Sequence, residues 1–166
     1  MKWINHQIVT GFIIFAATDN ALFVASSIVG AVIPDKVEGS PPKESKAYWK
    51  WRSNHRTWSH YPMIYLALIG LLMFASDSVK DPTVSLIADM GIYVLIGALL
   101  HIAEDGICGR VPILTPKSKH GIKLFQVGSV SEYVFSILII TICIFSRFGD
   151  IDKTSNTLID AMHKLI

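Results

Sequence analysis

The chain is short of charge and of cysteine. Only 17% of its 166 residues are Asp, Glu, Lys or Arg, where a soluble domain averages about 25%. Hydrophobic residues make up 51%, and mean hydropathy is +0.46. A domain surrounded by water needs more polar surface than this, so the composition points to a membrane. The two cysteines, Cys108 and Cys143, are too far apart in sequence to form a metal-ligand pair, and Cys143 sits inside an apolar run as a small filler. The net charge of +2 is too small and too scattered to suggest a nucleic-acid partner. No small-residue cleavage site follows the apolar stretch after Lys2, so that stretch is expected to be retained.

What is present is a series of apolar runs with histidines and carboxylates at their ends. Ile8 to Ile33 is apolar apart from a few small polar residues and Asp19-Asn20 at its midpoint. An acidic group at mid-bilayer costs about 2.5–3.5 kcal/mol on insertion scales, whereas Asp-Asn is good turn and N-cap material. The run therefore reads as two short helices, 6–18 and 20–33, folded into a hairpin. Pro34-Asp35 ends it. Residues 36–59 form a polar surface loop with a short helix over 44–52. A second hairpin pairs Tyr61–Ala75 with Val84–Ile102, a polar segment covers 103–129, and Val130–Phe148 is the cleanest spanning candidate. The expected fold is all-α, a polytopic membrane bundle of two helical hairpins plus a final transmembrane helix. It comprises a membrane-embedded domain over 1–149 and a short amphipathic tail over 150–166.

The basic residues follow this layout. Eleven fall in 1–7, 34–60 and 103–129, and four, Lys80, Arg147, Lys153 and Lys164, on the other side. Such asymmetry places the first set on the cytoplasmic face, together with all four tryptophans, Trp3, Trp49, Trp51 and Trp58.

The hairpins bring candidate ligands to one level. His6 opens the first arm and Asp35 closes the second. His60 opens the third, His101 closes the fourth, and Glu132 opens the last helix. One straight helix over 8–33 would instead hold His6 and Asp35 about 40 Å apart. His101 and Asp105 are spaced i,i+4, on one helical face. His55 and His60 are five apart and need a break between them, with Ser59 as a cap and Pro62 near a helix start. Imidazoles and carboxylates together suit zinc or another first-row divalent ion. Each residue also has a plainer reading. His60 could be an interfacial polar group, His101 a hydrogen-bond partner to a neighbouring helix, Asp35 ordinary turn chemistry, and Arg56 a headgroup anchor. His120 stands in a solvated loop, and His163 lies on the opposite side.

At His6, Pro34-Asp35, His55-Arg56-Thr57-Trp58-Ser59-His60 and His101-Ile102-Ala103-Glu104-Asp105 the chain resembles the YdjM-like family of inner-membrane metal-dependent hydrolases. Gly109-Arg110-Val111-Pro112-Ile113 and Gly128-Ser129 through Glu132 look like that family's C-terminal part. The likeness covers nearly the whole chain to about residue 148, and the order of its residues is more distantly similar to zinc-dependent phospholipase C. Val37 stands where the family has a second Asp, with Glu38 beside it, and Ser59 replaces a Thr.

The resemblance implies a membrane-bound hydrolase with His6, Asp35, His55, His60, His101 and Asp105 as ligands of one or two zinc-like ions, or as their immediate partners. A site at headgroup depth points to a lipid or lipid-linked phosphoester. Arg56 would contact its anionic oxygen, Asp35 or Asp105 would be ligand or base, and Glu132 and Glu104 would be base or support. Two other readings stand beside this one: a metal that only staples the hairpins, and an ion-handling protein using Asp19.

Overall fold

A computed structural model describes residues 1–79 and 81–149; the expected tail over 150–166, with His163, lies outside the described residues. Among the described residues there are seven helices, α1 (Trp3–Thr18), α2 (Ala21–Gly30), α3 (Ile33–Glu38), α4 (Ser45–Asn54), α5 (Pro62–Asp77), α6 (Pro82–Cys108) and α7 (Val130–Phe148), with a 3₁₀ turn, Trp58–His60, ahead of α5. The all-α expectation needs one correction. Within the polar segment, β1 (Val111–Thr115) and β2 (Ser118–His120) pair as a small antiparallel hairpin, Val111 opposite His120 and Pro112 opposite Lys119. Pro116 and Lys117 turn the chain there, and the proline reads as easily as loop as it does as hairpin tip.

Helix boundaries follow local chemistry. Asp19 takes a left-handed conformation (φ 53°) at the end of α1, and Asn20 caps α2 by accepting from Leu22 N–H at 2.9 Å and Phe23 N–H at 3.3 Å. The Asp-Asn pair thus makes the expected turn. Asp81 caps α6 and Ser129 caps α7, while Pro62 and Pro82 occupy first-turn positions where no N–H is required.

The hairpin of α1 and α2 reaches deeper than its sequence suggests. At one end Glu132 of α7 accepts from Lys2 N–H at 2.8 Å and from the Asn5 amide. At the other, Asp19 pairs with Arg147 near the end of α7. Helix α1 therefore lies parallel to α7 along its length, although 16 residues span only about 24 Å.

Three stretches are long and apolar enough to cross a membrane: Ser45–Asp77, Pro82–Cys108 and Val130–Phe148. In the first, the bend at the 3₁₀ turn leaves α5 as the apolar part. Between 11% and 22% of their most apolar windows is buried within the protein. Val134, Ile137, Leu138, Ile142 and Phe145 of α7 all face outward. The buried set is as polar as it is apolar, including His6, Thr10, Ser27, His60, His101, Glu104, Asp105 and Glu132. Large side chains outside and polar ones inside is the reverse of a soluble domain, and it is compatible with contact to lipid.

Helices α2 and α6 pack with backbones nearly touching. A Cβ on Gly97 would lie 2.1 Å from Ser27 O, and one on Gly30 would lie 1.9 Å from Val94 O. Small residues permit such close approach where lipid supplies no hydrophobic drive between helices. The same contact puts Ala31 O against the His101 ring (Nδ1···O 2.6 Å). Gly97→Ala is expected to cost about 1–3 kcal/mol through overpacking. Gly70→Ala, where nothing lies within 4 Å, is expected to leave stability unchanged or slightly raised. Thermal unfolding of the two variants in detergent checks the contrast.

Candidate metal centre

Four side chains from three chain segments meet at one end of the bundle. Asp35 comes from α3, His60 from the last residue of the 3₁₀ turn, and His101 and Asp105 from successive turns of α6. One donor atom from each lies within 4.8 Å of every other, and this group could hold a metal ion. His60, His101 and Asp105 are completely buried, while Asp35 is half-buried and opens onto a cavity.

The separations discriminate between an ion site and a network of ordinary hydrogen bonds. His60 Nε2 is 3.4 Å from both Asp35 Oδ1 and Asp105 Oδ2, and His101 Nε2 is 3.4 Å from Asp105 Oδ2 and 3.7 Å from Asp35 Oδ1. An N–H···O bond is about 2.7–3.2 Å long. Four ligands held tetrahedrally at about 2.0–2.2 Å stand roughly 3.3–3.6 Å apart. The four imidazole–carboxylate separations, 3.4–3.7 Å, are close to that range.

Hydrogen bonding on the outer side of each ring fixes its tautomer. His101 Nδ1 faces Ala31 O at 2.6 Å, an acceptor that requires N–H on the imidazole. His60 Nδ1 faces Ser59 Oγ at 2.9 Å, and that hydroxyl donates onward to Glu38 Oε1 at 2.8 Å, so it accepts from the ring. His6 Nδ1 faces Glu104 Oε2 at 2.5 Å. A proton on each Nδ1 leaves each Nε2 with its lone pair turned inward. His6 Nε2, His60 Nε2, His101 Nε2 and Asp105 Oδ2 are all buried without a hydrogen-bond partner. A buried polar atom left unpaired costs about 1–3 kcal/mol. Three of them, His60 Nε2, His101 Nε2 and Asp105 Oδ2, belong with Asp35 to the group a divalent cation could satisfy, with the carboxylate and carbonyl support that metal-bound imidazoles receive.

Arg56 closes one side. Its Nη2 lies 2.8 Å from Asp105 Oδ2 but is not aligned as a hydrogen-bond donor to it, so Oδ2 stays unpaired, as does the buried Arg56 Nε. The guanidinium fits because residue 109 is glycine: a Cβ there would stand 2.5 Å from Arg56 Nη1. Arg56 also adopts φ 57°, an uncommon conformation for a residue with a side chain. The Arg56 N–H is bonded to Glu38. Asp105 Oδ1 lies 3.4 Å from His6 Nε2 and 2.9 Å from the Met1 nitrogen.

The remaining expected residues fall into two groups. His6 stands against the cluster, its ring centroid 4.0 Å from that of His101, as a neighbouring donor outside the set of four. His55 stands apart, its Nδ1 on Glu38 and its ring stacked on Trp51. Glu132 belongs to the junction of α1 and α7, where its carboxylate is occupied by the N–H groups of Lys2, Asn5 and Gly128. There it fixes the start of α1 and hence the height of His6. Asp19 lies exposed at the far turn, paired with Arg147. His120 is exposed on β2, bonded to Ser118.

Glu38 is the main residue the sequence undervalued. It joins His55, the Arg56 N–H and Ser59, and stands 3.9 Å from His60 Nδ1. Val37, next to it, is exposed. Burial pushes the Glu38 carboxyl up, but hydrogen bonds from His55, Ser59 and Arg56 outweigh it and hold the group below its ordinary value. Glu38 is therefore charged at neutral pH.

Comparison with protein-family models, curated proteins and solved structures finds no match.

Purified protein should retain a divalent ion, and His60→Ala, His101→Ala and Asp105→Ala should abolish that retention. His55→Ala should keep it, and Ser59→Ala should weaken affinity about 10–100-fold through the unsupported His60 ring. Affinity should fall as pH drops through the imidazole range, since ligands must bind deprotonated. Elemental analysis and metal titration at several pH values check these outcomes.

Proposed function

We propose that the protein is a polytopic inner-membrane hydrolase, its centre at the cytoplasmic surface, acting with a zinc-like ion on a lipid or lipid-linked phosphoester. The observation that carries this reading is the convergence of unpartnered His60 Nε2, His101 Nε2 and Asp105 Oδ2 beside Arg56. The motif order shared with the YdjM-like hydrolases agrees with it, as does the distribution of basic residues.

A divalent ion in such a place supplies a Lewis acid and brings water's acidity toward about pH 7. The chain's own residues supply the rest. His60, His101 and Asp105 form the buried three-residue floor, the number of protein ligands typical of catalytic zinc. Asp35 is the acidic group on the open side, bordering a cavity of about 250 Å³ with Trp3, Lys36, Trp51 and His55. From there it can accept a proton from an attacking water. Arg56 offers a planar fork to an anionic oxygen. Glu38 and Ser59 hold His60 and the Arg56 backbone in register.

The staple reading has one observation in its favour. Four protein donors at tetrahedral spacing could close the coordination sphere, as in structural zinc sites. Screening lipid phosphoesters for hydrolysis by metal-loaded protein separates the two. Arg56→Lys should lower kcat/KM by roughly 10²-fold, the weight of one misplaced charge-stabilising donor, while metal content stays at the wild-type level. Inactivity of the metal-loaded wild type on every lipid phosphoester would leave the staple.

A further inference from the structure

The segment between α6 and α7 carries charge of one sign only. From Gly106 to Ser131 there are four basic residues, Arg110, Lys117, Lys119 and Lys123, and no Asp or Glu. The same segment exposes large apolar side chains. Leu114 is 73% exposed and Ile122 74%, and Ile113, Leu124 and Val127 are also exposed. Ile113 and Leu114 are adjacent on β1, so strand alternation sends them to opposite faces. Neither face of the hairpin is then reserved for water.

The hairpin is anchored rather than loose. Tyr61 Oη donates to Leu114 O at 3.2 Å, Lys119 Nζ donates to His55 O at 2.6 Å, and Ile122 N–H donates to Gly106 O at 2.9 Å. Gly121 lies against Gly109, where a Cβ would meet its carbonyl oxygen at 1.8 Å. Apolar tips on a fixed scaffold must meet something apolar or stand in water.

Position selects the occupant. Cys108 ends one spanning candidate and Val130 begins another, so the segment joining them emerges where the helices leave lipid. Exposed Trp3, Trp49 and Trp58 mark the same end of the bundle, as interfacial anchors do. We propose that the β1–β2 hairpin and the loop to Val127 form a membrane-docking element. Leu114, Ile122 and Leu124 enter the acyl boundary while Arg110, Lys117 and Lys123 take the phosphates of anionic lipids. This assignment rests on the membrane reading but not on hydrolysis. It would gather anionic lipid around the opening beside His55.

The test uses the full chain in phosphatidylcholine nanodiscs, with Cys143→Ser and an environment-sensitive fluorophore on Leu114→Cys or Ile122→Cys. Quenching by spin-labelled phosphatidylglycerol is compared with quenching by spin-labelled phosphatidylcholine. A fluorophore on Ile142→Cys of α7 reports whether the helices are in lipid at all. Both hairpin sites should be quenched, with preference for phosphatidylglycerol. Lys117→Gln and Lys123→Gln should each reduce that preference about fivefold, the weight of one basic side chain near an anionic surface. Quenching at Ile142→Cys without quenching at the hairpin sites overturns the docking element. Equal quenching by the two lipids overturns its selectivity, and no quenching at any site overturns the membrane reading itself. The same pattern in metal-free His60→Ala protein would separate this element from the metal centre.

Discussion

The structure depends on imidazoles tied from behind. A histidine has two nitrogens, and whichever donates a hydrogen bond leaves the other as a lone pair. Here Ala31 O, Ser59 Oγ and Glu104 Oε2 take the Nδ1 positions of His101, His60 and His6. Those three acceptors come from the end of α2, the turn before α5, and α6. Orientation of the inward lone pairs is thus a property of how the elements pack. A shift of any one element by an ångström would turn a donor away from the centre.

That packing rests on small residues, which let helix backbones approach closely. Gly30 and Gly97 let α2 and α6 meet backbone to backbone, and the Ala31 carbonyl arrives at His101 as a consequence. At the other flank, Glu132 gathers Lys2 and Asn5 at the head of α1 while Arg147 holds Asp19 at its foot. Hydrogen bonds to Glu132 at one end of α1 and α7 and the Asp19–Arg147 ion pair at the other fix the height of His6. The outward apolar surface contributes no such registration, because its side chains touch no neighbouring element that would select one position over the next.

Those parts of the architecture governed by local chemistry were legible in the sequence. Asp19-Asn20 announced a turn because a carboxylate is costly in mid-bilayer and favourable at a cap, and the hairpin followed. His101 and Asp105 declared themselves by i,i+4 spacing on a helix that continues to Cys108. The β-hairpin was missed because Val111–Thr115 is too short, and too interrupted by Pro112, to show alternation. Glu38 and Glu132 could not be sorted from sequence, since both are carboxylates next to apolar runs. Only tertiary placement makes one a support for His60 and the other an acceptor for the α1 terminus. His55 and His60 were equal candidates until the left-handed Arg56 between them turned one ring toward the centre and the other toward Trp51.

Arg56 weighs on the choice between a staple and a hydrolase. Its guanidinium touches the Asp105 oxygen that faces the centre, so an ion bonded to that oxygen would lie no more than about 5 Å from it. Two positive charges at that range repel by roughly 3 kcal/mol per unit charge at an effective dielectric near 20. A site built only to hold a cation gains nothing from that neighbour, and an uncharged side chain in its place would bind the ion more tightly. The repulsion is offset once an anionic group enters between the two, because its oxygen is attracted by both. The left-handed backbone at Arg56, a glycine at 109 to admit its head and Glu38 to fix its N–H together hold this guanidinium against Asp105. In the structure its counter-charge is Asp105, 2.8 Å away, and under the proposed reading an anionic substrate oxygen would be drawn by the guanidinium and the ion together.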